Sequence, residues 1–197
     1  MRWSQPGSSP IGLGSKNARR IEATIVFVDE TGFSFRARTA TTWAPIGRTP
    51  ILRRASKRRE FSTVVGLTLS GRIYKRHFAR AIHGDDVVVA LLHFQQHIPG
   101  PLIVIWDRLN AHRATVVKAY VSAHPEVEVE WFPPYVPDLN PEEGCHGNVK
   151  QHLRNATPGT IRELRAQVDR GFARLRRRPD LLLSFFRHAG LDVNQLW

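Results

Sequence analysis

Apolar positions fall into a few short, well-separated runs. Ile25-Val26-Phe27-Val28 is β-branched and aromatic throughout and runs straight into Asp29. A continuous apolar run of this length is how a strand buried on both faces looks, and it predicts that a carboxylate is delivered at the strand's C-terminal end. Leu102-Ile103-Val104-Ile105-Trp106 repeats the pattern and ends on Asp107. Between them, Phe61 to Leu69 and Arg72 to Phe78 are strand-like runs joined by Ser70-Gly71, which predicts a hairpin. Val127 to Trp131 predicts one further, edge-type strand.

Helical periods fill the gaps. Gly84-Asp85-Asp86 signals a helix start ahead of Val87 to His97, because acidic side chains favour the positive end of the helix dipole, and Pro99-Gly100-Pro101 stops it. A helix is expected from about His112 to Ala123. Pro133 to Pro137 suits an extended loop, and Pro141 fits the first turn of a helix running to about Arg154. Thr160 to Arg178 and Leu181 to Ala189 are helical by period, with Leu164, Val168, Phe172 and Leu175 spaced three or four apart. The order predicts an α/β fold, a mixed central sheet flanked by helices, with a C-terminal helical extension. The expected division is 1–20 as a disordered or linker segment rich in Gly, Ser and Pro, 21–155 as the sheet-bearing domain and 156–197 as the extension.

Composition narrows the partners. The 29 Lys and Arg against 17 Asp and Glu give a formal charge of +12, which favours a polyanion, with nucleic acid first. The single cysteine, Cys145, allows neither an internal disulfide nor a cysteine-based zinc cage, as expected in a reducing cytoplasm. No run approaches the ~18 apolar residues of a membrane span. Met1 to Arg20 lacks the apolar core of a signal peptide.

The candidate chemistry lies in three carboxylates. A sheet that ends two apolar strands on Asp29 and Asp107, with Glu143 in the first turn of a later helix, brings all three to one edge. Oxygen-only ligation suits hard Mg²⁺ or Mn²⁺, and a pair of such ions serves in-line phosphoryl displacement. Adjacent helical residues point about 100° apart, so only one of Glu142 and Glu143 can face the ions. Asp138 and Asn140 read as turn formers that cap the helix. His93 and His97 have metal-pair spacing without a matching third ligand nearby in sequence, which favours a surface or core pair. Arg53, Arg54, Lys57, Arg58 and Arg59 form a basic segment suited to a DNA backbone. Arg113 and Lys150 are further candidate DNA contacts, with His112 beside Arg113. Arg174, Arg176, Arg177 and Arg178 cluster at a helix end, where the dipole also favours them.

Five blocks carry a resemblance: Val28-Asp29-Glu30-Thr31-Gly32-Phe33, Trp43-Ala44-Pro45-Ile46-Gly47, Val65-Gly66-Leu67, Trp106-Asp107-Arg108-Leu109-Asn110-Ala111-His112-Arg113, and Pro134-Tyr135-Val136-Pro137-Asp138-Leu139-Asn140-Pro141-Glu142-Glu143. From about Ile21 to about Arg154 the chain resembles the mariner-like transposases of bacterial insertion sequences, the IS-six-thirty group. The 35 residues between Asp107 and Glu143 fit that family's spacing. The resemblance implies an RNase H-like fold. It also implies cleavage of transposon ends by metal-activated water, and strand transfer to target DNA, usually at TA, with two Mg²⁺ or Mn²⁺ ions.

It assigns ligation to Asp29, Asp107 and Glu143, leaving Glu142 as an exposed first-turn residue at a variable position. Two positions depart from the family: Arg108 stands where Asn is usual, and His146 where a Trp is common. Full-length members also carry an N-terminal helix-turn-helix, which Met1 to Arg20 cannot form. Recognition of transposon ends is therefore expected from a separately encoded or frameshift-fused region, and the active form is expected to be a homodimer on DNA, in the cytoplasm with the nucleoid. The alternative is a truncated, inactive remnant that only binds DNA. A host RNase H-like nuclease is disfavoured by the Pro-Asp-Leu-Asn-Pro block.

Overall fold

The computed structural model describes residues 22–35, 40–51, 60–133 and 137–191. Five strands form one sheet in the order β3-β2-β1-β4-β5. They are β1 (Thr24–Ser34), β2 (Glu60–Thr68), β3 (Ile73–Phe78), β4 (Leu102–Trp106) and β5 (Val127–Trp131). β1, β2 and β3 pair antiparallel, and β1, β4 and β5 pair parallel. The helices are α1 (Gly84–His97), α2 (Thr115–Ala123), α3 (Glu142–His152), α4 (Ile161–Arg176) and α5 (Pro179–His188).

Strand alternation divides the core into two layers. Ile25, Phe27, Ile103 and Ile105 pack with Val149 of α3, Leu164, Val168, Phe172 and Leu175 of α4, and Leu182 and Phe186 of α5. Val26, Val28, Val104 and Trp106 face the other way, against Val87, Leu91 and Phe94 of α1 and Val117 of α2. The four residues spaced along α4 are all buried as their period predicted. The helices after residue 156 thus share one core layer with the sheet.

Two elements differ from the sequence expectation. β1 does not end at Asp29 but continues to Ser34, because Thr31 and Phe33 alternate inward and β2 supplies partners as far as Ser34↔Glu60. Its parallel ladder with β4 does stop, at Phe27↔Ile105, so Asp29 lies past the last rung on that side. α2 begins at Thr115 rather than about His112. The backbone of Ala114 is extended (φ −58°, ψ 147°), and His112 sits in the preceding turn with its ring directed into the protein.

Turns and helix starts are held by local hydrogen bonds. The β2–β3 turn has Gly71 at φ 72°, with its N–H donating to Thr68 O at 2.9 Å. At the start of α1, the Asp86 carboxylate accepts from the His83 N–H at 3.0 Å. α4 is capped by Thr160, whose hydroxyl accepts from the Glu163 N–H at 3.2 Å.

Candidate metal centre

Asp29 points to the α3 side of the sheet, the side of Phe27 by alternation, and is nearly buried. One of its oxygens accepts from the Glu30 N–H at 2.8 Å. α3 is brought over it by Asn140, whose Oδ1 accepts from the Glu142 N–H at 3.1 Å and whose amide reaches Val28 O at 3.5 Å. The expected capping role of Asn140 is therefore made, and it also fastens the helix to β1. Asp138 is exposed in a short turn of 3₁₀ helix, Pro137–Leu139.

Close packing of α3 on its neighbours sets the height of its first turn. A Cβ on Gly144 would sit 2.6 Å from the Phe185 ring of α5, and one on Gly171 of α4 would sit 3.0 Å from Val149. Only hydrogen fits at Gly144, one residue beyond Glu143.

The two adjacent glutamates separate as helix geometry requires, but not with the burial expected. Glu142 is fully buried rather than exposed, because it turns inward onto His146 one helical turn later. Glu142 Oε2 lies 2.8 Å from His146 Nε2, and Asp29 Oδ2 lies 3.3 Å from His146 Nδ1. Burial pushes the Glu142 carboxyl up to about 7. Burial disfavours the charged imidazole of His146, yet Glu142 and Asp29 together hold it up at about 9. Glu143 is exposed and shares its space with Asp29; partial burial and that neighbouring carboxylate both raise its pKa. One ligand atom each from Asp29, Glu143 and His146 lies within 4.8 Å of the others.

Asp107 stands immediately past β4, at the position that continues the parallel register to Asp29, but outside that close cluster. Its carboxylate is 2.9 Å from His112 Nδ1 and accepts from the Leu109 N–H at 3.1 Å. Burial acts to raise its pKa, but these two donors hold it below the usual carboxylate value. His112 Nε2 lies 3.1 Å from Glu30, and the buried ring is held up at about 9 by Asp107 and Glu30 against its desolvation. Asp29 and Asp107 are thus each backed by a buried histidine whose second nitrogen lies near a glutamate.

Glu30, Glu142 and His146 were not assigned these roles by sequence reasoning. The Glu142–His146 spacing of four places them on one helical face, and that signal was readable. Nothing local marks Glu30, which meets His112 only through the fold.

Among the candidate DNA contacts, Arg53, Arg54, Lys57, Arg58 and Arg59 lie outside the described residues. Arg113 is exposed in the turn beyond His112, and Lys150 is exposed on α3, close enough to Glu143 to favour its charged form. Arg174 donates to Asn148 at 2.6 Å, Arg176 donates to Ile73 O at 3.0 Å, and Arg178 pairs with Asp180 at 2.8 Å. The second arginine cluster is therefore largely engaged within the protein. His93 and His97 lie with ring centroids 4.2 Å apart beside a groove of about 560 Å³, and His97 Nδ1 lies 2.7 Å from His93 O. Among the described residues, no helix is long and apolar enough to cross a membrane.

Oxygen donors from Asp29 and Glu143, with Asp107 on the adjoining strand end, form a donor set that suits a divalent cation. The family model of DDE superfamily endonucleases matches residues 24–165. No curated protein sequence matches the chain. Its fold is similar to that of the Mos1 mariner paired-end complex with Mg, at 16% identity and a TM-score of 0.64, covering 96% of this chain and 66% of that one. The isolated catalytic domain of Mos1 mariner transposase gives 14% identity and a TM-score of 0.58, covering 96% and 99%. A simian T-cell lymphotropic virus intasome gives 17% identity and 0.51, covering 73% and 46%. The chain spans about two-thirds of the length of the longer Mos1 chains it matches. It belongs to the DDE superfamily of endonucleases and has the RNase H-like fold of the mariner transposase catalytic domain.

Proposed function

We propose that this chain is the catalytic domain of a mariner-like transposase, cutting transposon-end DNA and joining it to target DNA, with Asp29, Asp107 and Glu143 as its catalytic carboxylates. The observation that carries this reading is the meeting of Asp29 and Glu143, from β1 and α3, beside the strand-end position of Asp107. Two divalent ions, Mg²⁺ or Mn²⁺, would supply an activated water or 3′ hydroxyl and stabilise the leaving oxygen. The protein's part is to fix three carboxylates on rigid elements, with histidines behind two of them, and to offer Arg113 and Lys150 to phosphates.

The solved relatives are complexes with a transposon end and a strand-transfer complex, and some contain Mg or Mn. These support transposon-end DNA as this chain's partner; strand transfer to target DNA and a homodimer on DNA as the working form are part of the proposal. A helix-turn-helix region, encoded separately or fused by frameshifting, would choose the ends, and the nucleoid would be the place of action.

The test uses the purified chain, Mn²⁺ and pre-cut transposon-end DNA with a target duplex. Joined product is expected from the wild type and none from Asp29→Asn, Asp107→Asn or Glu143→Gln. Product that survives Glu143→Gln rejects the assignment. A second reading, DNA binding without turnover, is favoured by one observation: the Asp107 carboxylate is turned onto His112, outside the close cluster. It predicts salt-sensitive DNA binding with no metal-dependent product.

A further inference from the structure

The proposed triad leaves one group of the cluster without a role. His146 is buried, yet its Nδ1 edge borders the same small space as the carboxylates of Asp29 and Glu143. Its Nε2 edge lies 2.8 Å from a glutamate with no exposed surface. A metal-ligating histidine characteristically gives its second ring nitrogen to a carboxylate, which fixes the ring's orientation and raises its basicity as a ligand. Glu142, His146 and the space between Asp29 and Glu143 follow that order along one line of contacts.

We infer that His146 is a nitrogen ligand of one of the divalent ions, through Nδ1, with Glu142 as the outer carboxylate that orients it. The ion takes the place of the proton between Nδ1 and Asp29, and that proton is released to solvent. One ion then has two carboxylates and an imidazole, whereas an ion beside Asp107 has oxygen donors only. Imidazole nitrogen is a softer donor than carboxylate oxygen and is less suited to hard Mg²⁺, so the two positions differ in metal preference. This inference rests on the proposed metal-dependent reading, and its test separates the two.

The experiment is pulsed electron paramagnetic resonance on the full chain loaded with Mn²⁺, prepared with natural-abundance and with ¹⁵N-imidazole histidine. Nitrogen coupling that changes with the isotope is expected, is retained in His112→Gln and is lost in His146→Gln. Mn²⁺ titration should show binding weakened about 10- to 100-fold in Glu142→Gln. Mg²⁺ should compete less well for the nitrogen-bearing position than for the other. Mn²⁺ that binds without nitrogen coupling overturns the inference and leaves the metal-dependent reading standing. Failure of the wild type to bind Mn²⁺ overturns both. Thermal melts of each variant identify loss of folding, and the isotope comparison in the wild type needs no variant to detect a histidine ligand.

Discussion

The imidazole of His112 lies flat on the indole of Trp106, with ring centroids 4.3 Å and planes 6° apart. The stack joins the last residue of β4 to the turn that follows, and it fixes the ring that Asp107 and Glu30 share. A charged imidazole over an indole face adds a cation–π attraction to those contacts.

Removal of this ring should therefore cost orientation more than metal charge. His112→Ala is expected to lower the rate of strand joining about 10- to 100-fold, the usual penalty for losing a group that orients a ligand. His112→Gln, which can keep one hydrogen bond to Asp107, should recover part of the loss. Single-turnover rates at saturating Mn²⁺ measure this. Equal rates for His112→Ala and the wild type would show that Asp107 needs no such support.

Gly144 offers a test of packing that involves no charge. Gly144→Ala forces a methyl group against the base of the Phe185 side chain and is expected to cost about 1–3 kcal/mol. For a chain of this size each kcal/mol lowers Tm by roughly 2–4 °C. Adding Phe185→Leu should recover part of that loss, because it removes the ring the methyl group meets. Denaturation of the single and double variants checks whether the two effects are coupled.

The share of the C-terminal helices in the core can be measured at Phe172. It is fully buried on α4 and meets Phe33 of β1 edge-on, with centroids 6.3 Å apart. Phe172→Ala should destabilise the whole sheet by about 3–5 kcal/mol, seen as one cooperative shift in urea unfolding. Removal of residues 160–197 should leave an insoluble product, since it uncovers the Phe27 and Phe33 side of the sheet.

Acid stability depends on a cluster away from the metal centre. Asp169 of α4 contacts Lys75 and lies 3.0 Å from His77 Nε2, both on β3. Burial acts to raise its pKa, but His77 and Lys75 hold it below the usual carboxylate value. A depressed carboxylate contributes stability above its unfolded pKa and loses it as pH falls through the lower, folded value. Asp169→Asn should therefore melt below the wild type at neutral pH, with the gap closing as pH falls below about 4. Melting curves across that range give the comparison.

Much of this arrangement was legible in the chain. The two apolar runs that end on Asp29 and Asp107 became adjacent parallel strands, because continuous apolar runs are stable only where both faces are covered. The four-residue spacing in α4 placed Leu164 and Val168 correctly for the same reason. Burial of polar groups was harder to read. Glu142 looked like a solvent-facing residue because a buried glutamate is stable only with a partner; its partner His146 stands one turn on, but that this face turns inward is set by Asp29, from a distant part of the chain. The extension of β1 past Asp29 was hidden too, since Gly32 and the polar residues around it gain strand partners only once β2 is in place.

The bond from Asn140 to Val28 O spans 112 residues of sequence. Contacts of such separation form only after the entropy of closing the intervening chain has been overcome, so they belong to the late part of folding. Every contact that brings α3 over β1 shares this property. A nascent or partly folded chain would have its sheet hairpin before its cluster of carboxylates, so the proposed centre would be assembled only in the finished fold.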